Sequence, residues 1–155
     1  MSIADEFAEK LNSLPSYEIE IGVISADTNR KEKVRVGVTN AELMFIHENG
    51  SPLQHIPARP VLQMTIDYAN KNLLDKAINK SLAAYMESNF NIEAFELELK
   101  KLCMRMESYA RKIIYSNDGR LAPNAPSTIA KKGDNHPLFD TGQLARSITC
   151  RLVKI

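Results

Sequence analysis

The chain has 155 residues, 44% hydrophobic and 25% charged, which suits one domain, residues 1–155, with a buried core. That composition excludes collagen-like, disulfide-framework and wholly disordered classes. No apolar run approaches the ~20 residues that span a bilayer, and a net charge of +1 argues against a protein whose main partner is a nucleic-acid backbone. The sum hides an asymmetry. Residues 1–100 carry a net charge of −5 and residues 101–155 a net charge of +6. Unlike faces of this kind suit head-to-tail self-association, although helix-end charges alone also produce such a split. The opening MSIADEFAEK holds three acids and lacks the basic-then-apolar pattern of a secretory signal, so secretion is not expected. Cys103 and Cys150 fall on different predicted elements and read as two reduced, buried thiols.

Residues 4–13 read as a short amphipathic helix, with Phe7, Ala8 and Leu11 on one side and Pro15 ending it. Two period-2 runs follow. Tyr17, Ile19, Ile21 and Val23 alternate with Glu18, Glu20 and Gly22; Val34, Val36 and Val38 alternate with Lys33, Arg35 and Gly37. With a polar turn between them they predict a hairpin whose wet face pairs glutamates with Lys and Arg. Thr39 and Glu42 have capping-box spacing ahead of a short helix over 40–48. A loop over 49–60 contains Pro52, Pro57 and Pro60, and Pro60 suits the first turn of a helix running loosely to about Met86. Phe95, Leu99, Leu102, Met106, Tyr109 and Ile113 then alternate four-three-four-three-four. They predict a helix over 92–115, read as internal core, with a coiled-coil dimer as the lesser alternative.

Residues 116–137 read as a long loop or arm in which Ser127 caps one helical turn ended by Gly133. Another short helical turn is expected over 138–145. A C-terminal strand alternates Ile148, Cys150 and Leu152 with Thr149 and Arg151. That strand needs the N-terminal hairpin beside it. The expected fold is therefore α+β: a small, mostly antiparallel sheet, made of the hairpin and the C-terminal strand, on two longer helices.

Catalytic patterns fail on spacing. His47-Glu48 begins a zincin-like motif, but position 51 is serine and Gly50 has broken the helix. A composite site of His47, Glu48 and His55 is a minor alternative. Phe139-Asp140-Thr141-Gly142 resembles an aspartic-protease loop, but such enzymes need two. Asp140 reads instead as a helix N-cap, with Gln143 as its partner three residues on. The chain reads as a non-enzyme. Basic clusters at Arg30, Lys31, Lys33 and Arg35 and at Arg120, Lys131 and Lys132 read as solvated faces, because aromatic stacking platforms are scarce.

Two segments go beyond composition. The first is Ile46-His47-Glu48-Asn49-Gly50, followed by Ile56-Pro57-Ala58-Arg59-Pro60-Val61-Leu62. The second runs from Ala125-Pro126-Ser127-Thr128-Ile129-Ala130-Lys131-Lys132-Gly133 to Pro137-Leu138-Phe139-Asp140-Thr141-Gly142-Gln143-Leu144 and Ser147-Ile148. In this order they resemble the small head–tail joining, or tail-completion, proteins of tailed bacteriophages and prophages. Many members have an aromatic residue before the glycine, where this chain has Asn49, and Phe after Arg-Pro, where it has Val61. The resemblance implies a ring-forming virion subunit at the head–tail junction or tail end, of sixfold or twelvefold symmetry. Its partners would be copies of itself and neighbouring neck or tail proteins. It would have non-specific contact at most with exiting DNA, no membrane partner and no cofactor or metal. Its place would be the virion, and the host cytoplasm during assembly. The positions put forward for subunit contact or loop bracing are Glu48, Gly50, Pro57, Arg59, Pro60, Ser127, Thr128, Lys131, Lys132, Asp140, Thr141 and Gly142. Two other readings stay open: a hydrolase using His47/Glu48 or Asp140, and a DNA-binding accessory protein.

Overall fold

Side chains satisfy the orphan backbone N–H groups that open several helices of this chain. The structure, a computed structural model, describes residues 1–24 and 38–155. Ser2 and Asp5 form a reciprocal capping box at the start of α1 (Ile3–Asn12). Strand β1 (Tyr17–Gly22) follows. Thr39 and Glu42 form a second capping box on α2 (Asn40–Asn49), as their spacing predicts. A short 3-10 turn at Pro52–Gln54 leads through the Pro-rich loop to α3 (Val61–Asn72) and α4 (Leu74–Glu87). The long helix α5 (Ile92–Ser116) is capped by the Asn91 side chain. Two short helices, α6 (Pro126–Lys132) and α7 (Gln143–Ser147), precede strand β2 (Thr149–Lys154).

The fold is α+β, with a two-stranded antiparallel sheet packed on the longer helices. Strands β1 and β2 join the two ends of the chain, with Ile19 opposite Leu152 and Ile21 opposite Cys150. Period 2 then puts one set of side chains on the helices. Ile19 and Ile21 meet Ala69, Leu102 and Met106, while Tyr17 and Leu152 meet Tyr85, Phe95 and Leu99. On the wet face Glu20 finds its cation across the sheet in Arg151, at 2.6 Å. The second hairpin strand expected at 33–38 lies, up to position 37, outside the described residues.

Helix α5 is the spine. Its stripe buries Phe95, Leu99, Leu102, Cys103, Met106, Ala110, Ile113 and Ile114 within the same chain, as an internal core helix should. Val61, Met44, Leu144, Ala145 and Ile148 complete the cluster around its C-terminal half. Two fully buried hydroxyls are satisfied locally, Thr65 by the Val61 carbonyl and Ser81 by the Ala77 carbonyl, both at 2.8 Å.

Three expectations are corrected. The helix read as continuous to Met86 is two helices, broken at Leu73, where the backbone leaves helical geometry. Ser127 does not cap α6. Pro126 occupies its first turn behind Ala125, and Gly133 ends it in the left-handed region as expected. Asp140 does not cap the last helix either. That helix begins only at Gln143, entered through Gly142 at φ 78° with no side-chain cap, and Asp140 is exposed. Tertiary bonds decide its position: Arg111 on α5 donates to the Ala145 carbonyl at 3.2 Å and the Ile148 carbonyl at 2.9 Å.

The Tyr17 hydroxyl donates to Glu96 at 2.8 Å, tying β1 to α5. Partial burial and that carboxylate push the phenol up to about 12. The fold thus favours the neutral phenol, and its contribution is present below pH 10 and lost as pH rises from about 10 to about 12. The urea-midpoint difference between wild type and Tyr17→Phe should accordingly favour wild type at pH 9 and shrink through that window.

Candidate functional site

The two sequence segments that carry the resemblance meet where α2 packs on α7, and Arg59 of the first also reaches the stretch just ahead of the second. Arg59 is only 4% exposed. Its Nε donates to the Ala122 carbonyl and an Nη to the Pro123 carbonyl, each at 2.8 Å, and the other Nη lies 3.3 Å from His47 Nδ1. A guanidinium only donates, so Nδ1 is the acceptor and a neutral His47 carries its proton on Nε2. The Arg59 backbone N–H also donates to the His47 carbonyl at 2.6 Å. Among the described residues no carboxylate pairs with this cation. Burial alone draws its pKa down from the usual arginine value.

Glu48 does a different job. Pro60, at the N-cap of α3, offers no side-chain acceptor. The Glu48 carboxylate supplies both, accepting from Leu62 N–H at 3.0 Å and Gln63 N–H at 2.8 Å. The negative charge also faces the positive end of that helix. Between Glu48 and Arg59 the chain doubles back tightly: Ser51 and Ile56 exchange backbone hydrogen bonds of 2.8 and 2.9 Å. Gly50 permits this turn. Its backbone sits at φ 74°, ψ 174°, and a Cβ there would lie 2.8 Å from the Ala58 nitrogen and 3.0 Å from the Ile56 carbonyl.

The segment 116–137 is pinned by bonds within the chain. Asn117 donates to the Asn135 carbonyl at 3.1 Å, and the Asn124 N–H donates to Asn135 Oδ1 at 2.9 Å. His136 Nε2 lies 2.6 Å from the Ile114 carbonyl, and its ring stacks on Phe139 with centroids 4.6 Å apart. Lys132 donates to the carbonyls of His136 and Phe139. Gly142, at φ 78°, has its Cβ direction filled by Arg146 and Phe139.

The sequence-derived positions therefore sort by direction. Glu48, Gly50, Arg59, Pro60, Thr128, Lys132 and Gly142 are buried or half-buried, while Pro57, Ser127, Lys131, Asp140 and Thr141 are exposed. We call the assembled layer the rim. His47, Asn135, His136 and Arg111 also hold it and were not singled out from sequence for that role. Arg111 left a signal, since it stands four residues after Glu107 on one helix face, and the pair closes at 2.7 Å. Glu107 then accepts from the Cys150 N–H at 3.1 Å, tying β2 to α5. Cys103 and Cys150 are both free thiols, the first buried and the second half-buried, and the neighbouring Cys103 thiol together with burial pushes the Cys150 thiol up.

The composite His47, Glu48 and His55 site is not brought together as a metal centre. His47 faces Arg59, Glu48 caps α3, and His55 is exposed with a left-handed backbone. Among the described residues, no three His, Cys, Asp or Glu side chains converge on a common point for a metal, and no helix is long and apolar enough to cross a membrane. No protein-family model, curated protein or solved structure matches this chain.

Gly50→Ala should cost at least about 3 kcal/mol, combining a glycine-only backbone conformation with a backbone clash. Gly133→Ala, at φ 85° with nothing within 4 Å of the new Cβ, should cost about 1–2 kcal/mol. Urea unfolding of the two variants checks the difference.

Proposed function

We propose that this chain is a structural subunit of a tailed phage or prophage, assembling as a ring at the head–tail junction or tail end. The observation that carries the reading is that the two segments bearing the resemblance fold as one unit. Arg59 of the first binds the two carbonyls just ahead of the second, and α2 packs against α7 through Met44 and Leu144 in one buried cluster. A rim held by buried hydrogen bonds presents its outer residues at fixed positions, and a repeating subunit contact requires fixed positions.

Two features support assembly. Phe45, on α2 beside the rim, is 70% exposed, and Leu53 projects from the 3-10 turn. Large exposed apolar side chains near a rigid edge are suited to a protein contact. The −5/+6 split between the two parts of the chain supplies complementarity for a contact between unlike surfaces, which closes into a ring when the rotation permits. On this reading the rim residues position and contact; none performs chemistry.

Light scattering at low and moderate salt should report a six- or twelve-membered closed assembly that weakens as salt rises. A monomer at every concentration and salt would remove the physical basis of the ring. Retention of duplex DNA with a steep salt dependence would favour the accessory DNA-binding reading instead.

A further inference from the structure

Away from the rim, a groove of about 530 Å³ runs between α3 and α5. Tyr68 and Leu73 line it from the α3 side, and Lys101, Met104, Arg105 and Lys112 line it from α5. Its floor is apolar and open: Met104 is 68% exposed. The Tyr68 and Tyr109 rings stack beside it, 3.9 Å apart and nearly parallel. Lys101 is paired with Glu98, whereas Arg105 and Lys112 have no carboxylate partner among the described residues. A polarizable thioether floor between cations fits an amphipathic helix whose flanks are acidic.

The chain itself contains such a helix. Helix α1 carries Asp5, Glu6 and Glu9, and none of its residues is buried. Its apolar stripe runs off the body. Leu11 joins the cluster around Tyr85, Phe7 is 38% exposed against Phe90, and Ile3 is 89% exposed. Glu6 and Glu9 form no ion pair among the described residues. Ten residues of helix are ~15 Å long, and the cations from Lys101 to Lys112 span ~16 Å along α5. Helix α1 is anchored at the α4–α5 turn, through Phe7 on Phe90 and the Tyr85 hydroxyl on the Lys10 carbonyl at 3.2 Å. Helix and groove are thus different surfaces of one molecule.

We propose that the α3–α5 groove receives the exposed acidic and apolar edge of helix α1 from a second copy of this chain. Ile3 lies over Met104 and Leu73, and Glu6 and Glu9 face Arg105 and Lys112. The contact joins unlike surfaces, so it repeats head to tail. This inference rests on the self-assembling reading above and adds to it a contact away from the rim.

The test is a charge swap. Glu6→Lys with Glu9→Lys reverses the helix and spares the Ser2–Asp5 cap, while Arg105→Glu with Lys112→Glu reverses the groove. Each variant, checked for a wild-type circular dichroism spectrum, should raise the concentration needed for assembly at least tenfold. An equimolar mixture of the two should recover wild-type assembly, because every contact in an alternating chain is again between opposite charges. A four-residue variant carrying both reversals should also assemble; it serves as the arbiter if one reversal alone fails to fold. A wild-type assembly that neither reversal weakens, or that the mixture fails to rescue, overturns this contact and leaves the ring reading standing. A wild-type chain that stays monomeric overturns both. Occupation of the groove by an acidic helix of another protein, with self-assembly unaffected by the reversals, also overturns it.

Discussion

A guanidinium taken out of water costs several kcal/mol unless its donors find acceptors, and one end of this molecule is arranged around that demand. Arg59 meets it with two backbone carbonyls and an imidazole rather than a carboxylate. The consequence is structural. The carbonyls of Ala122 and Pro123 are drawn to a fixed place, so the segment that follows α5 returns to the body. The turn at Gly50 and the Glu48 cap on α3 place Arg59 where it can reach them. Loss of either carbonyl leaves a donor of the buried Arg59 guanidinium unpaired, which costs more than the bond itself is worth.

The local elements were legible because their signals are local. The capping box at Thr39 and Glu42, the period-2 run from Tyr17 and the stripe of α5 each follow from side-chain spacing along a few turns of chain. The meeting of the two ends was legible too, since a lone C-terminal strand needs the N-terminal period-2 segment beside it. What stayed hidden has more than one cause. Asp140 has every local mark of an N-cap, yet the Arg111 grip on Ala145 and Ile148 sets the helix later. Ser127 lost its capping place to the preference of Pro126 for the first turn. Leu73 lies within a helical pattern that no sequence signal interrupts.

The same division holds for the site. Arg59 and Glu48 stand out in sequence as charged residues in a Pro- and Gly-rich stretch, but their partners are backbone atoms 63 and 14 residues away. No residue-type pattern encodes a backbone acceptor, so His47, Asn135 and His136 carried no sequence mark of the parts they play. The sorting into inward-bracing and outward-facing positions gives the proposed assembly its physical content. The inward set braces the rim, the outward set faces solvent, and the basic groove and acidic α1 lie elsewhere on the surface.

Arg59 holds the rim as one unit, and residue-resolved hydrogen exchange on Arg59→Lys probes that bond. Lysine keeps the charge but lacks the planar fork that reaches both carbonyls. Losing a buried, charge-assisted bond of ~1.5–3 kcal/mol corresponds to roughly 10- to 100-fold faster exchange. That acceleration is predicted at the amides of Ser51, Ile56, Asn124 and Gly133, with those of β1 and β2 unchanged. Wild-type exchange rates at all four rim amides would contradict the account.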